Sequence, residues 1–265
     1  MPLERIPEHE YHRRELGVVT NSGLKAFMRS PKSYREWVGE GRVDNDNLRF
    51  GRVFHAYTLE GRRPLVQPDF GNLRTKAARE ERDIWLGENA GRDFVTADDW
   101  VHLHAMKKSA LDHETAGKLL RAKGSVEGTL HWTDEATDLR CKCRIDKWIP
   151  GQRIAFDLKS AKTATEHGFR TAVGNFGYHI QAAHYTAGLR AHEMHPEWCF
   201  VVVEKAPPYD VGVYSLDDEF YEIANHERDK ALMRMAHCIR EDWWPGLNDD
   251  AIVALSPPGW MRRSM

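Results

Sequence analysis

Two acidic residues and one lysine near the centre of the chain have a spacing that suits metal-assisted chemistry. Asp146 lies eleven residues before the sequence Asp157-Leu158-Lys159. Side chains two apart on a strand share a face, so Asp157 and Lys159 project from the same face. Two carboxylates that converge at a strand end are costly unless a positive charge lies between them. A hard divalent cation with oxygen ligands is the simplest source of that charge.

A β-hairpin is predicted to bring these side chains together. Its first strand covers residues 144–149, which contain alternating apolar and β-branched residues, and Pro150-Gly151 supplies the turn. Its second strand covers residues 153–159 and places its apolar residues on the face opposite Asp157. The pattern therefore predicts one buried apolar face and one face that carries the ionisable groups.

Several motifs of this chain resemble those of one nuclease group. Asp146 together with Asp157-Leu158-Lys159 resembles the D…(D/E)-x-K motif of the PD-(D/E)xK nuclease superfamily. Gln181 and Tyr185 resemble the Q-x-x-x-Y motif of the RecB-like branch of that superfamily, and His55 resembles the helix histidine of the same branch. The D-x-K motif is weak by itself, but the ordered set is fairly specific.

The N-terminal sequence from Ser22 to Tyr34 resembles the start of a narrower group, the exodeoxyribonuclease VIII or RecE-type family of phage recombination exonucleases. The likeness extends from about Ser22 to Trp244, which is nearly the whole chain. Two positions differ from the superfamily motif. Ile145 replaces the proline before Asp146, and the acidic residue before the lysine is aspartate, which suits the RecB-like branch.

The resemblance implies a divalent-metal site. In the resembled nucleases the two carboxylates and the main-chain carbonyl of the intervening residue, here Asp146, Asp157 and Leu158, bind Mg²⁺ or Mn²⁺. His55 is implied as a further ligand, and its imidazole nitrogen suggests that Mn²⁺ is accepted beside Mg²⁺. On the residues alone, strand-end carboxylates are more often solvated, and a histidine among apolar helix residues is more often structural.

The resemblance also implies catalytic and supporting roles. Lys159 would position or deprotonate the attacking water and stabilise charge in the transition state, with a surface ion pair to Asp157 as the alternative. Glu127 matches an acidic position of the family, where it would hold a second metal or simply lie at a strand edge. In the family the glutamine, here Gln181, contacts the lysine or the DNA backbone, and the tyrosine, here Tyr185, supports it.

Other side chains are candidates for DNA contacts. Tyr178, one turn before Gln181, is predicted to join the wall of the active site. Ser30 and Lys32 are candidate phosphate contacts, and helix capping by Ser30 is an equally good alternative. Charge runs are usually solvated faces, which is the alternative for every basic candidate. These are Arg49, Arg52, Arg74, Lys76, Lys107, Lys108, Arg140, Lys142 and Arg144.

The helix and strand signals predict a mixed α/β fold with a central mixed β-sheet flanked by helices and a helical N-terminal region. The family resemblance implies that this core is of the restriction-endonuclease-like type. Residues 20–123 are predicted to be mainly helical and residues 124–242 to form the nuclease core. Residues 1–19 are expected to be a flexible lead-in, and residues 243–265 an irregular tail. A length of 265 residues favours one domain over two.

The composition narrows the class of protein. Hydrophobic residues at 41% and charged residues at 29% are ordinary for a soluble globular protein. No apolar run approaches the ~20 residues of a membrane helix, and the charged N-terminus lacks the apolar segment of a signal peptide. The four cysteines form no C-x-x-C pair, so we expect reduced thiols, a cytoplasmic location and no zinc site. The iron–sulfur members of the resembled RecB-like branch have one N-terminal and three C-terminal cysteines. This chain has no cysteine near its N-terminus, so the resemblance implies no iron–sulfur cluster. The net charge of −2 disfavours DNA binding by the whole surface but allows a local basic groove.

The family resemblance implies a metal-dependent 5′→3′ exonuclease that acts on linear double-stranded DNA and leaves 3′ single strands. It further implies a RecT-type annealing protein as partner, a homo-oligomeric ring (tetrameric in the RecE group), and a phage or prophage origin in a bacterial host. Two alternatives stay open. A structure- or sequence-specific endonuclease of the same superfamily would cut closed circular DNA. A non-catalytic DNA-binding recombination accessory protein would show no metal-stimulated turnover.

Overall fold

A computed structural model describes residues 3–41, 45–248, 252–257 and 261 of the protein. These residues form helices and strands, and most of the strands belong to one main sheet. The helices are α1 (Glu8–Tyr11), α2 (Asn21–Arg29), α3 (Pro31–Gly39), α4 (Asp46–Leu59), α5 (Lys76–Glu88), α6 (Ala97–Asp112), α7 (Glu114–Arg121), α8 (Glu166–Phe176), α9 (Tyr178–Arg190) and α10 (Asp218–Glu241). The strands are β1 (Val18–Val19), β2 (Leu65–Val66), β3 (Phe94–Val95), β4 (Ser125–Thr133), β5 (Arg140–Ile149), β6 (Ile154–Ala161), β7 (Glu197–Glu204) and β8 (Val211–Ser215).

The main sheet has six strands and a fork beside its longest strand, β5. Strand β4 is antiparallel to β5 along one edge. The other edge is shared, because β1 runs parallel to the start of β5 and β6 runs antiparallel to its end. The pairing of β5 with β6 stops at Lys147 and Phe156, although β6 stays paired with β7 along its whole length. Asp146 and Asp157 are the next residues, so both lie where the two strands separate.

Helices cover both faces of this sheet and give three apolar clusters. Helices α8 and α9 pack on one face through Phe169, Ala182 and Leu189. Helices α4, α6 and α7 pack on the opposite face through residues such as Phe54 and Leu103. Helices α2, α3 and α10 form a third cluster with the sheet end near β1. The predicted mixed α/β fold with a helical N-terminal region is confirmed.

Capping residues explain where several of the helices begin. Thr20, Asn45, Thr75, Thr96 and Asp217 each accept a hydrogen bond from a backbone N–H in the first turn of α2, α4, α5, α6 and α10. Such caps satisfy donors that the helix leaves unpaired. The predicted hairpin strands, residues 144–149 and 153–159, agree with β5 and β6 to within a few residues.

The N-terminal segment differs from its prediction. The predicted flexible lead-in covers residues 1–19, but residues 3–19 contain α1 and β1 and attach to the sheet. Glu4 forms an antiparallel bridge with Thr129 of β4, with N···O distances of 3.1 and 2.7 Å. Leu3 packs so closely over Gly128 that a Cβ on that glycine would lie 2.5 Å from it. These contacts join distant parts of the chain, so no local pattern marks them.

The structure describes part of the predicted C-terminal tail. Residues 243–248 and 252–257 contain neither helix nor strand. Residue 261 is also described. Residues 249–251, 258–260 and 262–265 of the predicted tail lie outside the described residues, as do residues 1, 2 and 42–44. Within the described part of the chain, every helix is too short or too polar to cross a membrane. The single-domain organisation stays a prediction.

Candidate active site

Three side chains from three elements converge at the fork of the sheet. His55 comes from α4, Glu127 from β4 and Asp146 from β5. One ligand atom of each lies within 4.8 Å of the others. His55 Nε2 is 3.3 Å from Asp146 Oδ2, and His55 Nδ1 is 3.7 Å from Glu127 Oε1. The sequence predicted a site role for all three residues, and the structure brings them together.

The backbone of Leu158 completes this group. Its N–H donates to Asp146 Oδ2 over 2.7 Å, and its carbonyl oxygen accepts a hydrogen bond from His55 Nε2. The Leu158 N–H can bond to a side chain because β6 has already separated from β5 at this point. The fork therefore exposes a main-chain carbonyl beside two carboxylates and an imidazole.

Glu127 lies in a strained stretch of β4. It stands opposite Asp146, between the paired residues Val126 and Gly128, and has a left-handed backbone with φ of 53°. That conformation costs roughly 1–2 kcal/mol for a residue with a Cβ. Strain of this kind is concentrated at functional sites, where the surrounding structure maintains it. The backbone geometry thus supports a functional role for Glu127 over that of an ordinary strand-edge residue.

A second set of side chains lies beside the first. Lys159 Nζ is 2.6 Å from Asp157 Oδ2 and donates to Gln181 Oε1 over 2.9 Å. Gln181 Nε2 in turn donates to Asp157 Oδ1. The Lys159 ammonium also lies 4.4 Å from the centre of the Tyr178 ring. Helix α9 therefore holds the lysine and the aspartate of the D-x-K motif through Gln181 and Tyr178.

Asp157 stays outside the group formed by His55, Glu127 and Asp146. Both of its carboxylate oxygens are engaged, one by Gln181 and the other by Lys159. Its role as a metal ligand, which the family resemblance implied, stays a prediction.

The ionisable groups of the site shift each other's pKa strongly. Burial by itself lowers the pKa of His55, but Asp146, Glu127 and Asp157 outweigh it and raise the pKa to about 10. Burial raises the pKa of Asp146 well above its ordinary value, and Asp157 adds to this rise. Burial also opposes the charge of Lys159, but the neighbouring Asp157 raises its pKa above the ordinary value. The site is thus an acidic pocket that stabilises positive charge.

The donor set fits a hard divalent cation. It offers two carboxylates and a carbonyl oxygen, which Mg²⁺ prefers, and one imidazole nitrogen, which Mn²⁺ accepts more readily. The acidic surroundings that raise the pKa of His55 would stabilise a metal ion in the same way. His55, Glu127, Asp146 and the Leu158 carbonyl are the groups that would hold it.

The N-terminal segment forms one wall of the site, which the sequence did not predict. The Arg144 guanidinium donates to the Ile6 carbonyl over 2.8 Å and lies 4.2 Å from the centre of the Tyr11 ring. Tyr11 also lies beside Tyr185. Tyr185 lines the cavity of the site, next to this residue of α1. The one sequence signal for this contact is that Tyr11 is an aromatic residue in an otherwise polar segment.

A cavity of about 1230 Å³ opens in front of these residues. His55, Glu127, Asp146, Lys159 and Tyr185 contribute to its lining. Residues of α1, α4 and α8 form its other walls. It exceeds the roughly 300–1,000 Å³ of typical small-molecule pockets, so a segment of a polymer would fit it better than a small ligand.

The predicted DNA contacts divide into two groups. Arg52, Arg144 and Tyr178 line the cavity, and Arg52 also forms an ion pair with Asp93 at 2.9 Å. The other basic candidates do not line it, and their DNA contacts stay predictions: Arg49, Arg74, Lys76, Lys107, Lys108, Arg140 and Lys142.

Ser30 and Lys32 also lie outside the cavity lining. Ser30 Oγ accepts from the Ser33 N–H over 3.0 Å and caps α3, as the structural alternative predicted. Lys32 is exposed in the first turn of that helix. A phosphate contact for either residue stays a prediction.

Comparison with known proteins places this chain in a family. The family described as "PDDEXK-like domain of unknown function (DUF3799)" matches residues 20–252. The chain belongs to this family. No curated protein matches the chain. Since the PDDEXK family match spans most of the chain and the motif residues meet at one site, the predicted class, a metal-dependent nuclease, is confirmed at this level.

Two solved structures are similar to the chain. A protein from Eubacterium rectale, described as a candidate exonuclease, matches with a TM-score of 0.62 and 14% sequence identity over 98% of both chains. At that identity it shows the fold alone, and it confirms the predicted restriction-endonuclease-like core. A phage-related exonuclease from Haemophilus somnus 129PT covers 84% of this chain and 95% of its own at 13% identity, but its TM-score of 0.37 is too low to support an argument.

Proposed function

We propose that this protein is a Mg²⁺-dependent exonuclease that degrades linear double-stranded DNA and also accepts Mn²⁺. The observation that carries the proposal is the convergence of His55, Glu127, Asp146 and the Leu158 carbonyl beside Lys159. These groups face a cavity large enough for several nucleotides. The description of the Eubacterium rectale protein is consistent with an exonuclease.

The site residues have distinct roles in this proposal. Lys159 contacts the phosphate under attack and stabilises the negative charge that develops on it. Gln181 fixes the Lys159 ammonium and the Asp157 carboxylate relative to one another through its two hydrogen bonds. Tyr178 supports the same ammonium with its ring face. Because all four are buried or half-buried, the geometry is set before substrate arrives.

The divalent metal would be held by His55, Glu127, Asp146 and the Leu158 carbonyl, with Asp157 as the further ligand predicted from the motif. When bound, it supplies a Lewis acid for the scissile phosphate and lowers the pKa of a bound water. The chain itself orients these donors and places Lys159 next to Leu158 on β6.

The finer properties of the proposal come from the resemblance to RecE-type exonucleases. They are 5′→3′ polarity, 3′ single-stranded products, a RecT-type annealing partner and a tetrameric ring. A cytoplasmic location in a bacterial host of phage or prophage belongs to the same proposal. An enzyme that makes 3′ single strands needs a protein that covers and anneals them, which is the reason for the partner.

Digestion of labelled DNA tests the proposal. A linear duplex with label at either 5′ end is compared with a closed circular plasmid in Mg²⁺, Mn²⁺ and EDTA. We expect metal-dependent release of 5′ label from linear DNA and no cut in the circle. Asp157→Ala and Lys159→Ala should each lower the rate by about 100-fold or more. Lys159 stabilises the charge on the phosphate, and Asp157 holds that lysine and is the predicted further metal ligand.

Two exposed residues outside the cavity provide matched controls. Asp112→Ala and Lys118→Ala remove the same charges from α6 and α7 and should leave the rate unchanged. Circular dichroism of all variants separates loss of chemistry from loss of folding, since a buried charge that loses its partner is destabilising. Cuts in the circle would establish an endonuclease. Absence of hydrolysis with either metal would refute the catalytic function.

A further inference from the structure

Phe176 is an exposed aromatic residue at the rim of the cavity. It is the last residue of α8, its side chain is 60% exposed, and it lines the same cavity as Asp146 and Lys159. It is the one phenylalanine in the described residues that is exposed. Isolated exposed apolar residues are common, so exposure alone has no meaning. The position of this ring beside the site gives it significance.

Neighbouring residues hold the ring at this position. Gly177 follows Phe176 in the left-handed conformation, with φ of 62°, and joins α8 directly to α9. The ring centres of Phe176 and Tyr178 are 5.7 Å apart. Tyr178 in turn contacts the Lys159 ammonium at 4.4 Å. A single aromatic ring therefore separates Phe176 from the lysine of the catalytic motif.

Positive charge lies next to the Tyr178 ring, and hydrogen-bonding groups of the helix that ends in Phe176 line the cavity. The Lys25 ammonium of α2 lies 5.6 Å from the centre of the Tyr178 ring, which Lys159 also contacts. Thr171 and Asn175 of α8 line the cavity beside Phe176. An exposed ring with ammonium groups nearby matches the usual arrangement for single-stranded nucleic acid, in which bases stack on aromatic rings and cations follow the backbone.

We propose that Phe176 is a base-stacking residue, on whose ring an unpaired nucleobase next to the scissile phosphate lies. This inference rests on the proposed nuclease function and adds a substrate requirement to it. Bases in a duplex stack on one another, so contact with Phe176 requires that the strand separates at the point of cleavage. Because every base has a π-face, the contact tolerates any sequence.

A double-mutant cycle that combines substitutions of Phe176 with abasic sites in the DNA tests this proposal. Wild type, Phe176→Ala and Phe176→Trp are titrated in EDTA with labelled DNA ends that are intact or carry one abasic site at successive terminal positions. We expect one position at which the abasic site weakens wild-type binding by about tenfold. Phe176→Ala should weaken binding of intact DNA by a similar factor, and the two changes together should cost no more than either. Phe176→Trp should bind like wild type.

The control is Trp243→Ala, which removes an exposed aromatic ring, 54% exposed, outside the cavity lining and should leave binding unchanged. Additive losses at every position, or unchanged binding by Phe176→Ala, would overturn the stacking proposal. Cleavage of linear DNA by wild type, measured in parallel with Mg²⁺, separates the two proposals. If wild type cuts DNA and no position couples to Phe176, only the stacking fails. If wild type neither binds nor cuts DNA, both fail.

Discussion

At the scale of single residues, the site depends on buried charges that compensate one another. Asp146 and Asp157 are nearly inaccessible to solvent, and each has a cationic neighbour, His55 for the first and Lys159 for the second. Gln181 adds two hydrogen bonds that fix the second pair. Loss of one member of a buried pair typically lowers the free energy of unfolding by about 3–5 kcal/mol, because its partner is left as an unpaired charge in the protein interior. Asp157→Asn is therefore a useful companion to Asp157→Ala, since it keeps the shape and the bond to Gln181.

His184 is a buried titratable residue of α9, the helix that also contains Gln181. It has no role in the proposed chemistry. Its side chain is inaccessible to solvent, and its Nε2 lies 3.3 Å from the Lys142 carbonyl. Burial, and then the nearby Arg228, lower its pKa to about 3, although Asp134 opposes the shift. The unfolded chain has an ordinary histidine pKa near 6.5. Between about pH 6.5 and 3 the unfolded state therefore binds more protons, and stability falls as the pH falls.

We expect the free energy of unfolding to contain a contribution from His184 that is complete above about pH 6.5. It should decrease below that pH by up to about 1.4 kcal/mol for each pH unit. His184→Gln should lack this contribution, so its stability should depend less steeply on pH. Urea unfolding between about pH 4 and 7, followed by circular dichroism, measures both slopes. The exposed His226→Gln should follow wild type, and parallel curves for His184→Gln and wild type would contradict the assignment.

The sequence located the site residues that belong to a motif and missed those that depend on packing. Asp146, Asp157 and Lys159 have fixed spacing on a hairpin, so strand geometry was enough to group them. Tyr11 has no such spacing, because its contacts with Arg144 and Tyr185 join the first helix to the far side of the sheet. Long-range contacts of this kind leave no periodic pattern.

At the scale of elements, the fork between β5 and β6 creates the site. The hairpin was predicted with the right strands, but the pattern alone did not show where their pairing stops. β1 pairs with the part of the β5 edge that β6 does not cover. Val18 and Val19 lie opposite Arg140 and Cys141 in this pairing. The N-terminal strand thus allows β5 to remain paired at both ends while the centre of that edge stays open. This arrangement explains why residues 18 and 19 are part of the core sheet.

Two glycines at the end of α8 are expected to respond to substitution in opposite directions. Gly177 has φ of 62°, and a Cβ there would approach the Lys25 side chain to 3.3 Å, so Gly177→Ala should lower stability by about 1–2 kcal/mol. Gly174 lies within α8 with open space around it, so Gly174→Ala should raise stability by roughly 0.5–1 kcal/mol. Thermal unfolding of both variants measures the difference. Equal effects would show that the junction of α8 and α9 does not need the left-handed residue.

At the scale of the whole molecule, charge is unevenly distributed. The chain has a net charge of −2, yet seven basic and four acidic side chains are among the described residues that line the cavity. The cavity lining therefore contains more basic than acidic side chains, whereas the rest of the chain contains more acidic than basic ones. A field of this kind attracts a polyanion to the cavity and leaves the rest of the surface unattractive to it. Composition could not locate these basic residues, because they come from the segment before α1, from α4, β5 and β6, and from the loops after α4, β6 and β7.

Salt dependence of DNA binding tests this distribution of charge. Lys162 follows β6, is exposed and lines the cavity, so we expect it to contact a backbone phosphate. Each phosphate contact contributes about 0.7–0.9 to the slope of log affinity against log salt concentration, because binding releases condensed counterions. Lys162→Ala should therefore reduce the slope by about that amount and weaken binding equally for all sequences.

Fluorescence anisotropy in EDTA, over a range of salt concentrations, measures the slope for wild type, Lys162→Ala and Lys118→Ala. Lys118 is a matched control, because it pairs with Glu114 on α7, 2.9 Å away, and does not line the cavity. Its substitution changes the net charge by the same amount, so any effect of net charge alone would appear in both variants. Equal slopes for the two variants would mean that DNA responds to the overall charge of the molecule. A smaller slope for Lys162→Ala alone would mean that the cavity carries the DNA backbone past the site.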